Sequence, residues 1–124
     1  RQMCIRDRAE IQRDRLGMTS QFAMRYGATV LLKGADTVIA SPDGRMCVNS
    51  GACRGLSKGG SGDVLTGILT ALLARGYTAN EACQLGTYLH GLAGDIARER
   101  LGEESMIASD IIDALPEAFK KLKE

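Results

Sequence analysis

The sequence predicts an α/β protein in which short strands are followed by long helices. Three features lead to this prediction. Residues 29–32 form an aliphatic run typical of a strand buried on both faces of a parallel sheet, two β-branched segments flank a Pro-Asp-Gly turn, and helical patterns fill the chain after residue 60. One such strand and a hairpin cannot complete a sheet of this kind, so we expect these elements to be part of a larger domain.

The first half of the chain is predicted to contain one helix and three strands. Residues 9–26 have apolar side chains at helical spacing, and Gly27 ends the pattern. Residues 29–32 then form the buried strand. Residues 37–40 and 45–49 are expected to pair as an antiparallel hairpin, because the Pro-Asp-Gly turn lies between them.

Two helices are predicted after an aperiodic loop over residues 50–60. The first is strongly apolar and ends at residues 75–76, an Arg-Gly pair. Thr78 and Glu81 form a capping box, in which each residue binds the backbone of the other. The second helix is therefore expected to begin at Thr78 and to run to about Leu101.

The sequence predicts a last helix at the C-terminal end of the chain, but it predicts no element for the first eight residues. Ser109 is expected to cap the last helix, and Pro116 lies inside that helix, where it either kinks the helix or makes it restart. The octet 1–8 fits no element that follows and is left unassigned, with the alternative open that it is not native. The domain is expected to span residues 9–124.

Composition excludes several classes of partner and site. Sixteen basic and fifteen acidic residues give a net charge of +1, which favours neither nucleic acid nor a membrane surface. There is no apolar run of about 18 residues and no signal-peptide core, so a cytoplasmic protein is expected. The chain has four cysteines, none of them in a CxxC pair, and one histidine, which are too few suitably spaced ligands for a zinc site. No metal site is therefore predicted from side chains alone.

The strongest candidate for chemistry is the sequence Gly-Gly-Ser-Gly-Asp at residues 59–63, where the loop enters the apolar helix. The first N–H groups of a helix lack internal partners, and glycines let them point to one place, so Gly60, Ser61 and Gly62 are predicted to form an anion hole. Asp63 could accept a proton from a substrate hydroxyl, and the alternative is an ordinary helix-start residue. The segment matches neither a Walker A loop nor a dinucleotide fingerprint.

A weaker candidate is the segment that follows the predicted buried strand. Ligands of open α/β sheets bind outside the carboxyl ends of strands, where Lys33 could contact a phosphate and Thr37 a nucleotide. A plain turn between strand and hairpin is the alternative. His90, the single histidine, is expected mid-helix as a packed or solvated residue, and the nearby glycines leave close approach of a helix or a nucleotide base open.

Four segments resemble, in order, the C-terminal half of the ADP-dependent NAD(P)H-hydrate dehydratases of the ribokinase-like superfamily. They are VLLKGADTVIASPDG, GGSGDVLTGILTALLARG, LGTYLHGLAGDIA and ASDIIDALPEA, and the resemblance covers about residues 10–124. It implies the C-terminal portion only of a ribokinase-like three-layer α/β fold. It also implies a nucleotide-repair lyase: ADP, or ATP, phosphorylates the added hydroxyl of the S form of NAD(P)HX, with Mg²⁺ as partner ion. Phosphate then leaves and NAD(P)H is restored.

The resemblance also implies roles for individual residues. The nucleotide-binding segment of the family matches, in order, Lys33, Gly34, Ala35, Asp36 and Thr37. Asp36 stands where glycine is common in the family, and residues 52–58 also depart from its usual pattern. Gly62 matches the glycine at the nucleotide phosphate, and Asp63 matches the residue that contacts the hydrated substrate and acts as the catalytic base.

Two other functions stay open beside the dehydratase. One is a ribokinase-like small-molecule kinase acting on a thiazole or pyrimidine alcohol, because it needs the same anion hole and base. The other is an inactive nucleotide-binding fragment, because the resemblance covers only half of the family's domain. The partners implied are NADHX or NADPHX and ADP, with assembly as a homo-oligomer, a tetramer in relatives.

Overall fold

The structure, a computed structural model, describes residues 8–34, 36–50 and 59–123, with side chains for 13–34, 36–49 and 59–123. Its elements follow the predicted order. They are α1 (Arg8–Tyr26), β1 (Val30–Leu32), β2 (Asp36–Ala40), β3 (Met46–Ser50), α2 (Ser61–Ala74), α3 (Ala79–Leu101) and α4 (Ala108–Leu122). None of the helices in the described part of the chain is long and apolar enough to cross a membrane.

The predicted hairpin is confirmed as strands β2 and β3. Val38 lies opposite Val48 in an antiparallel register. At the turn, the backbone N–H of Ser41 donates to the carbonyl oxygen of Arg45 over 2.9 Å. Gly44 adopts a φ of +92°, a left-handed conformation that favours glycine. The turn chemistry read from the sequence is therefore what joins these strands.

The prediction for β1 was wrong in its pairing. A parallel-sheet strand was expected, but β1 pairs antiparallel with β2, with Leu31 opposite Ile39. Only three residues, 33–35, connect the two strands, whereas a parallel crossover needs a dozen or more. Val30 and Leu31 are half-buried and Leu32 is exposed, so β1 is not covered on both faces. An aliphatic run identifies a strand but not the direction of its neighbour.

Helices α2, α3 and α4 enclose the main apolar core. The largest fully buried apolar side chains of this cluster are Leu89, Met106 and Ile111. Small residues on α3 allow close helix contacts: a Cβ built on Gly86 would lie only 2.7 Å from Cδ2 of Leu69 on α2. The close approach of α2 and α3 at Gly86 fixes how the first turn of α2 sits against α3.

The capping box of α3 is confirmed. The backbone N–H of Glu81 donates to the Thr78 hydroxyl over 3.2 Å, and the Thr78 N–H donates to the Glu81 carboxylate over 2.9 Å. These hydrogen bonds, the one from the Thr78 backbone above all, lower the pKa of Glu81. The first turn of α3 is thus closed by its own side chains.

The start of α4 differs from the prediction. Ser109 lies inside the helix, and the cap is instead closed by Asp110, whose carboxylate accepts from the Ile107 N–H over 2.8 Å. Pro116 does not make the helix restart, because α4 is continuous from Ala108 to Leu122. The carbonyl that Pro116 leaves without a helical donor belongs to Ile112, and both residues are exposed, so water can reach that group.

The two candidate caps give a first testable prediction. Thr78→Ala in the full-length protein is expected to lower the free energy of unfolding by about 1 kcal/mol, because α3 loses its side-chain acceptor. Ser109→Ala is the matched control and should change stability by less than about 0.5 kcal/mol, because Ser109 is exposed and caps nothing. Denaturant unfolding measures both, and equal losses would contradict this account of the helix starts.

Candidate functional site

The first turn of α2 contains backbone N–H groups that have no hydrogen-bond partner within the helix, and we call those of residues 61–63 the open amides. Gly60 precedes the helix with a φ of +85° and has no side chain to cap it. The first backbone bond of the turn runs from the Val64 N–H to the Gly60 carbonyl oxygen, over 3.1 Å. The N–H groups of residues 61–63 therefore have no partner within the helix. They lie at its positive end, which is suited to an anion.

Three consecutive residues of this turn face three different parts of the molecule, as a rotation of about 100° per helical residue requires. Ser61 is buried and its hydroxyl lies 3.2 Å from Nε2 of His90 on α3. Gly62 faces Lys33, whose Nζ would lie 2.6 Å from a Cβ built on that glycine. Asp63 is exposed. The Lys33 ammonium thus lies at Gly62, and the exposed Asp63 is the next residue of the same turn.

Lys33, which directly follows β1, reaches the first turn of α2, so the two candidate segments of the sequence lie together at this position. Because Gly62 has no side chain, the ammonium group comes close to the backbone of the turn. Among the described residues no carboxylate forms an ion pair with Lys33. An ammonium at the positive end of a helix repels it, and an anion between the two would turn this repulsion into attraction. The arrangement therefore favours a bound anion.

The turn that carries Lys33 is held by a residue that the sequence analysis missed. Arg15 of α1 donates from its guanidinium to the carbonyl oxygens of Lys33, over 3.2 Å, and of Asp36, over 3.3 Å. Gly34 makes room for this contact, since a Cβ there would lie 2.5 Å from the guanidinium nitrogen of Arg15. Ala35, predicted to bind nucleotide, lies outside the described residues.

Asp36 and Thr37 lie in the sheet beside β1. Both are half-buried, and Thr37 is opposite Asn49 on β3. The structure thus brings Lys33 to the α2 turn and leaves Asp36 and Thr37 on β2. Their assignment to nucleotide binding stays a prediction. So do the roles assigned to the other candidate residues, which are Lys33, Gly34, Gly60, Ser61, Gly62 and Asp63.

An apolar groove of about 520 Å³ lies between α2 and α4 and reaches Asp63 at one end. Its volume is in the range of small-molecule pockets. The helices are close at that end, because a Cβ on Gly60 would lie 3.2 Å from Cβ of Ala108. The groove is lined by Gly60, Asp63, Val64, Gly67, Ile68, Ala71, Leu72, Arg75, Ala108, Ile112, Leu115 and Phe119.

Comparison with known proteins gives one family. The sequence profile of a family described as NAD(P)H-hydrate dehydratase matches residues 2–117, a range that includes most of the unassigned octet. The chain is 46% identical over 116 residues to a bifunctional NAD(P)H-hydrate repair enzyme of Moorella thermoacetica. It is 42% identical over 107 residues to an ADP-dependent (S)-NAD(P)H-hydrate dehydratase of Neisseria meningitidis.

A solved structure agrees with these sequence matches. The ADP/ATP-dependent NAD(P)H-hydrate dehydratase of Bacillus subtilis, co-crystallised with ATP and Mg²⁺, superposes with a TM-score of 0.82 at 31% identity. That superposition covers 91% of this chain and 41% of the Bacillus chain. The present chain likewise spans 22% of the Moorella protein and 36% of the Neisseria protein. It matches a part of each relative, and the matched range of this chain, residues 2–117 in the family profile, includes the turn and the lysine described above.

Proposed function

This chain belongs to the NAD(P)H-hydrate dehydratase family, and on that premise we propose that the whole protein repairs hydrated NADH and NADPH. In the proposed reaction ADP, or ATP, phosphorylates the added hydroxyl of the S form. Phosphate then leaves, and NAD(P)H is restored. With ADP as donor, the other product is AMP. The kinase has no observation in its favour beyond the anion site, which the dehydratase needs as well. The inactive fragment concerns this chain by itself, which spans 22% of the Moorella protein, whereas the present proposal concerns the whole protein.

The observation that carries this proposal is the Lys33 ammonium at Gly62 in the open first turn of α2, with Asp63 exposed in the same turn. Phosphoryl transfer places negative charge on the transferring group, and catalysis consists mainly of holding that group and stabilising its charge. Backbone amides and a lysine supply the stabilisation. A carboxylate within the same turn supplies the proton acceptor that an attacking alcohol needs.

The proposed steps assign one task to each of these groups. The hydroxyl oxygen of the hydrated ring attacks the terminal phosphorus of ADP, and the bond between that phosphorus and the AMP oxygen breaks. The hydroxyl proton passes to Asp63. The amides of residues 61–63 and Lys33 hold the phosphoryl oxygens as charge builds on them. The carbon–oxygen bond then breaks with loss of phosphate, and loss of a ring proton restores the double bond.

Mg²⁺ is compatible with this site as an ion bound chiefly by the nucleotide. Among the described residues there is no group of three or more His, Cys, Asp or Glu side chains that could hold a metal. Mg²⁺ in phosphoryl-transfer sites usually takes one or two carboxylates plus substrate phosphates, and the exposed Asp63 carboxylate fits that donor set. When bound, the ion would neutralise charge on the phosphates.

The proposed function is tested by incubating the full-length protein with hydrated NADH, ADP and Mg²⁺. The expected result is recovery of NADH absorbance, with one AMP and one phosphate released for each NADH formed. A protein that instead consumed ATP to phosphorylate a thiazole or pyrimidine alcohol, without restoring NADH, would replace the dehydratase by the kinase. Assembly as a homo-oligomer and a cytoplasmic location are part of the same proposal and are checked by light scattering and fractionation.

A further inference from the structure

Ser61 and His90 form a buried polar contact behind the open turn of α2. Ser61 is 1% exposed and His90 5% exposed, and the hydroxyl oxygen lies 3.2 Å from Nε2. Buried polar groups without a partner are costly, so each of these side chains depends on the other. The contact ties the first residue of α2 to the middle of α3. Ser61 also contributes the first of the open amides.

The packing of α2 on α3 sets this contact. Gly86 lies one turn before His90 on α3 and contacts Leu69 of α2 so closely that a Cβ there would lie 2.7 Å from Cδ2. Residues four apart on a helix share a face, so the approach at Gly86 brings His90 against α2 as well. His90 therefore reaches the Ser61 hydroxyl from a fixed position.

The surroundings of His90 favour a neutral ring. Burial lowers the pKa of His90, a backbone hydrogen bond with Ser61 opposes this effect, and the charge of Lys33 lowers the pKa further. A neutral imidazole offers one donor and one acceptor nitrogen, so it can pair with a hydroxyl without placing a charge behind the turn. Its ring anchors the turn from the inner side, while the Lys33 ammonium lies at Gly62, the next residue.

We propose that His90 is a positioning residue for the phosphate-binding turn. It holds the Ser61 hydroxyl, fixes the first turn of α2, and so keeps the amides of residues 61–63 and the Lys33 ammonium directed at one anion. The inference rests on the proposed function in taking that anion to be the phosphate of ADP. His90 does not touch the phosphate. It acts through Ser61.

The test compares His90→Leu with His90→Gln in the full-length protein. Leu removes both ring nitrogens, whereas the Gln amide places a polar atom where Nε2 stands. His90→Leu is expected to weaken ADP binding in calorimetry about tenfold, because it loosens the turn and leaves the Ser61 hydroxyl unpaired. His90→Gln should recover most of this loss. The KM for hydrated NADH should stay within about twofold of wild type in both, because His90 acts on the phosphate-binding turn.

Two further variants separate positioning from mere packing. Ser61→Ala should weaken ADP binding, and adding His90→Leu to it should cost less than His90→Leu alone, because the two side chains act as one unit. Thr87→Val is the matched control: Thr87 is buried on α3 one turn before His90, and its hydroxyl has no partner among the described residues. Its ADP affinity should equal that of wild type.

Particular outcomes would overturn the inference. If His90→Leu binds ADP like wild type and only its thermal stability falls, His90 is a core residue and nothing more. If His90→Gln is as weak as His90→Leu, the hydrogen bond to Ser61 is not the cause. These results are distinct from a failure of the proposed function. A protein that shows the His90 effect on ADP binding but never restores NADH would refute the dehydratase and leave the positioning role standing.

Discussion

Asp63→Asn in the full-length protein is expected to lower turnover of hydrated NADH by about 10²–10⁴-fold, the usual contribution of a positioned base. The amide has the shape of the carboxylate but cannot accept the hydroxyl proton. ADP affinity measured without Mg²⁺ should stay close to wild type, because the open amides and Lys33 hold the phosphate without Asp63. Asp63 is exposed and packs into no core, so thermal stability should change little. Steady-state kinetics, calorimetry and a melting curve measure the three quantities.

The control for this variant is another acid in the first turn of a helix. Glu81→Gln removes a charge from the start of α3 and leaves a side chain that can still close the capping box. It should cost at most a small fraction of stability and none of the turnover. If Asp63→Asn instead unfolds the protein while the folded fraction retains its specific activity, Asp63 only stabilises the helix start.

The order of elements could be predicted from the sequence because each left a local signature. The turn at Pro42-Asp43-Gly44 and the capping box of α3 involve contacts between residues at most four apart, so the local sequence indicates them directly. The predictions that were wrong concern positions where the sequence is compatible with two local structures. Ser109 and Asp110 are both good capping residues, and only the backbone geometry at Ile107 decides in favour of Asp110. The direction of β1 depends on its partner, which an aliphatic run does not specify.

In the candidate site, too, the features with a local sequence pattern could be predicted and those that depend on packing could not. The open turn of α2 follows from glycines that precede an apolar helix, and this local pattern predicted it. Convergence of Lys33 on that turn followed only from a general rule about strand ends. The contact of Arg15 with the carbonyl oxygens of Lys33 and Asp36 has no such signal, because it depends on how α1 crosses the sheet. His90 was expected to be packed or solvated, and it is packed, but its hydroxyl partner depends on how α2 and α3 pack.

Replacing Gly60 or Gly62 of the open turn by Ala is expected to affect different properties. The Gly62 variant should lose ADP affinity, and the Gly60 variant should lose stability. At Gly62 the added Cβ would lie 2.6 Å from Nζ of Lys33, the flexible end of a side chain, so the lysine moves and the fold stays. ADP affinity should then fall by about 10–100-fold, because a charge-assisted contact with the phosphate is lost. Stability should stay level or rise, since Ala is about 1 kcal/mol better than Gly within a helix.

Gly60→Ala should instead lose stability, because its φ of +85° is strained for any residue with a Cβ, by about 1–2 kcal/mol. The added atom would also press on Cβ of Ala108 at 3.2 Å. Gly67→Ala is the control on the same helix: a Cβ there meets nothing within 4 Å, so stability should rise and ADP affinity should not change. Calorimetry and denaturant unfolding on the three full-length variants separate the effects. A Gly62→Ala protein with wild-type ADP affinity would show that Lys33 does not act at this turn, because the substitution removes its place there and little else.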